Sequence, residues 1–513
     1  MKHKSDRRQD GWMAAGLFAF TFLSRVPFCS RILYHWDSVN FAYAMRELDI
    51  AKEQPHPPGY ILYVWLCRAV DLLFNDAQNT MVWISVVASA LAVVALFFLG
   101  RSMFGRRTGL IAALFLATSP LFWFYGEVAL PHTLDTLLVI VSVWWLYETM
   151  QGDIRYLYPA VAFLAVAGGV RQQTIVFLAP ALLFALRRVG WKRFVIAGML
   201  GAAICVAWFI PLMVANGGFA NYMRVMGEFS NRFQHTTSVF AGAGLPGVGR
   251  NLRRLIMYTL YGWSVGLVPA VAYACIRLGQ REWPQRWERP VFLSLWVVPV
   301  LAFYTLIHMG QQGLVFVFLP ALLLISAVGL ARLLAARTRR LAVAAAILVG
   351  VNACVFCLGP EYPLGPGNQR LLTRATVVNS DHYYQDRFGA ITRDFPREST
   401  AILAANWHHV EYYLPAYKLL RMDVTPAWGL GGSGQASAPQ EEEETWDAQT
   451  LALMPDADGG VNIVIFDDEL APLNGTPGLA RTVELAHGGR MEAFELSAGQ
   501  VLYVGQSFGV REP

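Results

Sequence analysis

The residues best suited to chemistry gather in 34–60, YHWDSVNFAYAMRELDIAKEQPHPPGY. Asp37 stands beside Trp36, just past the first apolar segment. A carboxylate becomes a useful general base when its surroundings make it more basic. Asp37 also precedes a helical run over 38–48, so the spacing predicts a second role as the N-cap. The two roles are compatible, because a capped carboxylate is held in one orientation. Next comes His56-Pro57-Pro58-Gly59-Tyr60. The prolines fix φ and the glycine permits a sharp turn, which presents His56 and Tyr60 as substrate contacts. We read the stretch as the active-site loop of a membrane enzyme.

Three further turns carry polar groups. In 125–135, YGEVALPHTLD, Glu127 and His132 are more than a connector needs. With Asp37 they supply three oxygen and nitrogen ligands, so a divalent cation is possible here; hydrogen bonding to a sugar accounts for them equally well. In GGVRQQ, Arg171 and Gln172 lie between two short apolar segments. A charge at such a turn is a functional candidate, and a guanidinium suits phosphate oxygens; snorkelling to headgroups is the structural alternative. In HMGQQG, His308 and Gln311 can close the same cavity. Arg224, Glu228, Arg232 and His235 share a helical pattern within 216–250, which reads either as a lid or as an interfacial helix.

The elements that must hold these residues are hydrophobic. Of 513 residues 55% are hydrophobic and 15% charged, well below the ~25% charged residues of soluble domains. The chain therefore reads as an α-helical polytopic membrane protein. A net charge of +5, confined to short loops, argues against nucleic acid. The six cysteines lie in or beside apolar segments, and Cys354 and Cys357 read as packing residues. A span needs about 20 apolar residues. Eleven candidates are 12–29, 81–100, 108–125, 133–150, 156–170, 174–186, 194–215, 255–276, 291–307, 314–334 and 341–358. Lys2, Lys4, Arg7 and Arg8, then Arg101, Arg106 and Arg107, mark cytoplasmic ends. One crossing separates them from the loop after Cys29, so 61–74 is expected to lie along the outer interface. The N-terminus then lies in the cytoplasm, and everything after Gly359 lies outside. Residues 1–358 form the membrane domain, with its first outer loop at 31–80. Residues 359–513 form a small α/β domain, with strands at 401–403 and 461–466, helices at 384–395 and 408–417, and a flexible charged insertion near 428–445.

WDSVNFAYAMR, HPPGY, SPLFWFYGE, GGVRQQ and HMGQQGLVFVFLP, in that order, resemble the GT-C superfamily of polyprenyl-phosphate-sugar glycosyltransferases. The likeness covers residue 1 to about 334 and is nearest to the protein O-mannosyltransferase and aminoarabinose-transferase branch. It implies transfer of a sugar from a polyprenyl-phosphate donor to a lipid, glycan or protein hydroxyl on the outer face of the cell (inner) membrane. It also implies Asp37 as base and Arg171 as partner of the lipid phosphate. Many relatives carry Asp-Glu in the first loop, where this chain has Asp37-Ser38. Neither a P-loop nor a Rossmann glycine pattern is present, as expected for a donor already activated by phosphate. A flippase of lipid-linked sugars would predict inverted repeats, and no matching halves are visible. A surface-polysaccharide polymerase or ligase is the other reading.

Overall fold

The computed structural model describes residues 2–280, 287–335, 337–363, 370–422, 444–447, 450–451 and 460–511. The chain divides into two compact units. One comprises Met1–Ser30, Asn40–Glu361 and Leu372–Val377, the other Arg31–Val39, Tyr362–Leu371 and Val378–Pro513.

The first unit is helical. Among the described residues five helices are long and apolar enough to cross a membrane: Ala77–Phe104, Trp191–Ala215, Gly244–Gly279, Glu288–Leu306 and Thr338–Leu358. Each apolar segment expected from the sequence falls on helix, but three are interrupted; one of them, 314–334, opens on the 3-10 helix Gln312–Val317 and turns at Phe318 before Leu319–Leu333. The segment 108–125 splits at Ser119 into Arg106–Thr118 and Pro120–Tyr125, because proline restarts a helix readily at its first position. Segment 255–276 begins eleven residues earlier, at Gly244, and breaks at Ser264, whose φ is 48°. The short helices Leu157–Val170 and Gln173–Leu186 flank Arg171, whose backbone is extended at φ −147° and ψ 108°. The helix Ile61–Phe74 is two-faced: Tyr63, Val64 and Cys67 are buried, while Leu72 and Leu73 are exposed.

The second unit is α/β. Its five-stranded sheet runs in the order Lys418–Arg421, Thr400–Ala404, Val461–Ile465, Arg490–Leu496, Arg481–Glu484. The first three strands are parallel and the last two antiparallel to their neighbours. Ile402, Ala404 and Val464 face one core with Ile391 and Phe395, and Ala401, Leu403, Ile463 and Ile465 face another. Burial on both faces explains why these strands read as unbroken apolar runs. The strands at 401–403 and 461–466 are where the sequence places them. A second, antiparallel sheet pairs Phe508–Arg511, Val501–Val504 and Glu444–Asp447. The expected insertion at 428–445 lies outside the described residues up to 443, and its last two positions open a strand instead.

Candidate active site

In the helical unit the most connected cluster is built on Arg171. Its buried guanidinium places Nη1 3.3 Å from Asp135 Oδ2, and Nη2 donates to Tyr304 Oη at 3.4 Å. Asp135 Oδ1 also accepts from Thr174 Oγ1 at 2.8 Å, so the carboxylate is anchored from two helices. Arg171 Nε has no hydrogen-bond partner among the described residues. A buried cation with one donor unspent is prepared for an anion.

The His-Pro-Pro-Gly turn is tied to this cluster. Gln172 Nε2 donates to Tyr222 Oη at 3.1 Å, and Tyr222 Oη donates to Pro58 O at 3.1 Å. His56 Nε2 lies 3.2 Å from Tyr60 Oη, and Tyr60 is within electrostatic reach of Arg171. The turn depends on Gly59, at φ +108°; a Cβ there would sit 2.7 Å from Leu212 Cδ1. Tyr222 belongs to the helix Phe219–Thr237, the segment read as a lid or interfacial helix. The structure thus brings His56, Tyr60, Arg171 and Gln172 together with Asp135, Thr174, Tyr222 and Tyr304.

Asp135 was legible as a carboxylate three residues into the apolar helix His132–Met150. Tyr304, one aromatic among many in Glu288–Leu306, carries no such signal.

His132 and Gln311 pair directly, Nε2 to Oε1 at 2.8 Å. Gly313 makes room for them: a Cβ there would lie 2.7 Å from His132 Cγ. His308 is separate, with Nδ1 3.2 Å from Thr237 Oγ1, and burial together with the Arg254 guanidinium pushes it down to about 4.

Among the described residues no group of three His, Cys, Asp or Glu side chains is placed to hold a metal. Glu127 is fully buried and faces the guanidinium groups of Arg25 and Arg374, while His132 is committed to Gln311. Burying the Glu127 carboxylate needs opposing charge, and Arg25 supplies it.

Asp37 and Trp36 belong to the α/β unit. The helix opens at Trp36 rather than after Asp37, so Asp37 sits in its first turn and is not the N-cap. His35 takes the capping role: its Nδ1 accepts from the Asp37 N–H at 3.1 Å, and its carbonyl accepts from the N–H of Ser38 at 2.8 Å. His35 Nδ1 is also 3.3 Å from Asp37 Oδ2. The Trp36 ring lies 5.7 Å from that of His408, which stacks on Trp407 at 3.6 Å. Burial and the Arg421 guanidinium push His408 down to about 4, so a neutral imidazole neighbours the carboxylate. His35 was open to sequence reading as an ionisable group two residues away; His408 left no local sign.

Comparison with known proteins fits the resemblance read in the sequence, over part of the chain for the family and over most of it for the fold. Residues 55–214 match the family described as Dolichyl-phosphate-mannose-protein mannosyltransferase. That segment holds His56, Tyr60, Glu127, His132, Arg171 and Gln172. The chain shares its fold with ArnT from Cupriavidus metallidurans. The apo structure aligns at TM-score 0.56 and 14% identity, over 95% of this chain and 98% of that one. The structure bound to undecaprenyl phosphate aligns at 0.57 and 14% over the same shares. The oligosaccharyltransferase of Archaeoglobus fulgidus aligns at 0.48 and 12%, over 81% of this chain and 62% of that one. No curated protein sequence matches the chain.

Proposed function

We propose that this protein is a multi-pass membrane glycosyltransferase that moves a sugar from a polyprenyl-phosphate donor to a hydroxyl of a lipid, glycan or protein. The observation that carries the reading is Arg171: a buried guanidinium at a turn between apolar helices, anchored by Asp135 and with Nε unspent. It lies in the segment that matches the mannosyltransferase family. The shared fold with a protein whose structure was solved with undecaprenyl phosphate supports the same reading.

In the proposed reaction the acceptor oxygen forms a bond to the anomeric carbon as the bond from that carbon to the phosphate oxygen breaks. Asp37 takes the hydroxyl proton. The bonding electron pair leaves with the polyprenyl phosphate, whose added charge is met by Arg171, with His56 as a second donor. A single displacement inverts the anomeric centre. Eleven crossings, a cytoplasmic N-terminus and the helix Ile61–Phe74 along the outer interface would put the α/β unit and Asp37 outside the inner membrane.

The test is to incubate the purified protein with a panel of labelled monosaccharide polyprenyl phosphates and measure release of polyprenyl phosphate. Release from one member supports the reading; no release from any, with acceptor lipids and glycans present, contradicts it.

A further inference from the structure

The segment that leads into Asp37 has a backbone that is held by side chains far along the chain. Asp381, from the helix Arg374–Asp394, accepts from the N–H of Arg31 at 3.0 Å through each of its oxygens and from the N–H of Ile32 at 3.1 Å. Tyr413 Oη accepts from the N–H of Leu33 at 3.0 Å. His409 Nε2 bonds the carbonyl of Leu33 at 2.7 Å. His409 is fully buried and held neutral at about 3, chiefly by that burial, so the proton it carries belongs on Nε2. Tyr384 stacks on its ring at 4.1 Å and fixes the ring plane. Ile32 is sealed into the same core as Ile391 and Phe395.

Four backbone groups of three consecutive residues are thus captured by three side chains. His409 and Tyr413 come from one short helix, Trp407–Tyr413, which also sets His408 against Trp36. An ordinary loop would leave these groups to water. Capturing each of them with a side chain removes the freedom of the segment that ends four residues ahead of Asp37.

We infer that Asp381, His409 and Tyr413 are positioning residues for the Asp37 carboxylate, and that the α/β unit serves turnover by clamping the backbone of residues 31–33. The inference rests on the reading of Asp37 as the base. It makes Asp381, His409 and Tyr413 part of the catalytic apparatus without any of the three touching the reacting atoms. Loss of the clamp lowers kcat, because a displaced base misses the hydroxyl proton, and leaves the donor KM unchanged.

The experiment uses the full-length protein with Asp381→Asn, Tyr413→Phe and, in parallel, Asp37→Asn. Deuterium uptake of the peptide covering 31–39 is expected to quicken about fivefold in the first two variants, with the membrane helices unchanged. Their kcat, with the donor selected from the panel above, should fall about tenfold to a hundredfold at constant donor KM. Binding of undecaprenyl phosphate, the probe for the phosphate cluster, should be retained. Tyr413→Phe removes one hydroxyl and keeps the ring, so it decides the matter if Asp381→Asn does not fold. If Asp37→Asn abolishes turnover while Tyr413→Phe leaves both uptake and kcat within twofold, the clamp is overturned alone. If Asp37→Asn is fully active, or no donor is turned over, the reading beneath it falls as well.

Discussion

Arg171 and Asp135 form an ion pair at 3.3 Å in which both side chains are less than a tenth exposed. Such a pair is weak evidence for stability, since two desolvated charges roughly offset their attraction. Removing one partner is different, because it strands the other. Asp135→Ala should therefore cost about 3–5 kcal/mol. The double replacement Arg171→Met with Asp135→Leu should recover most of that. Thermal unfolding in detergent measures both. If the pair exists for the donor phosphate, the recovered double variant still transfers no sugar. A stable, active double variant would assign the pair to structure alone.

The contact between His132 and Gln311 gives a prediction about coupling. Gly313→Ala would bring a methyl to within 2.7 Å of the His132 ring and turn it off Gln311. Gln311→Ala breaks the same bond from the other side. Each change alone should lower turnover, and the two together should lower it no further than the stronger one. Independent effects that multiply would show that Gly313 acts through something other than His132.

The α/β unit should lose stability in acid. His408 and His409 are pushed down to about 4 and about 3, by burial in both cases and by Arg421 for His408. In the unfolded chain they titrate near 6.5. As pH falls through 6.5 the unfolded state takes up protons that the folded state refuses, so stability falls from about pH 6.5 toward pH 4. His409→Gln keeps a donor for Leu33 O and removes one of the two titrations. Deuterium uptake of the strands Thr400–Ala404 and Val461–Ile465, measured between pH 7 and 4.5, should rise in the parent and rise less steeply in His409→Gln. Equal slopes would contradict the assignment of the loss to His409.

What could be read in advance divides along a physical line. Apolar helices, the turn at Arg171 and the strand Val461–Ile465 declare themselves through local hydrophobic pattern, which one stretch of chain contains entirely. The lining of the Arg171 cluster was half visible: His56, Tyr60 and Gln172 sit in unusual turns, whereas Tyr222 and Tyr304 look like any aromatic on a helix. Of the surroundings of Asp37 only His35 and Trp36 were visible. Asp381, His408, His409 and Tyr413 reach residues 31–37 across more than 340 positions, and pairing at that separation leaves no period in the sequence. The partner of Glu127 was hidden for the same reason. Glu127 looked like a ligand because its counter-charge, Arg25, lies in the first helix, far back in the chain.

The central claim is that Asp37 is the base, and one rate tests it. Purified Asp37→Asn should bind undecaprenyl phosphate as the parent does and show unchanged unfolding. With the donor that the parent turns over, its release of polyprenyl phosphate should fall by about 10²–10⁴-fold, the range for loss of a general base. An Asp37→Asn protein that releases polyprenyl phosphate at the parental rate would contradict the account.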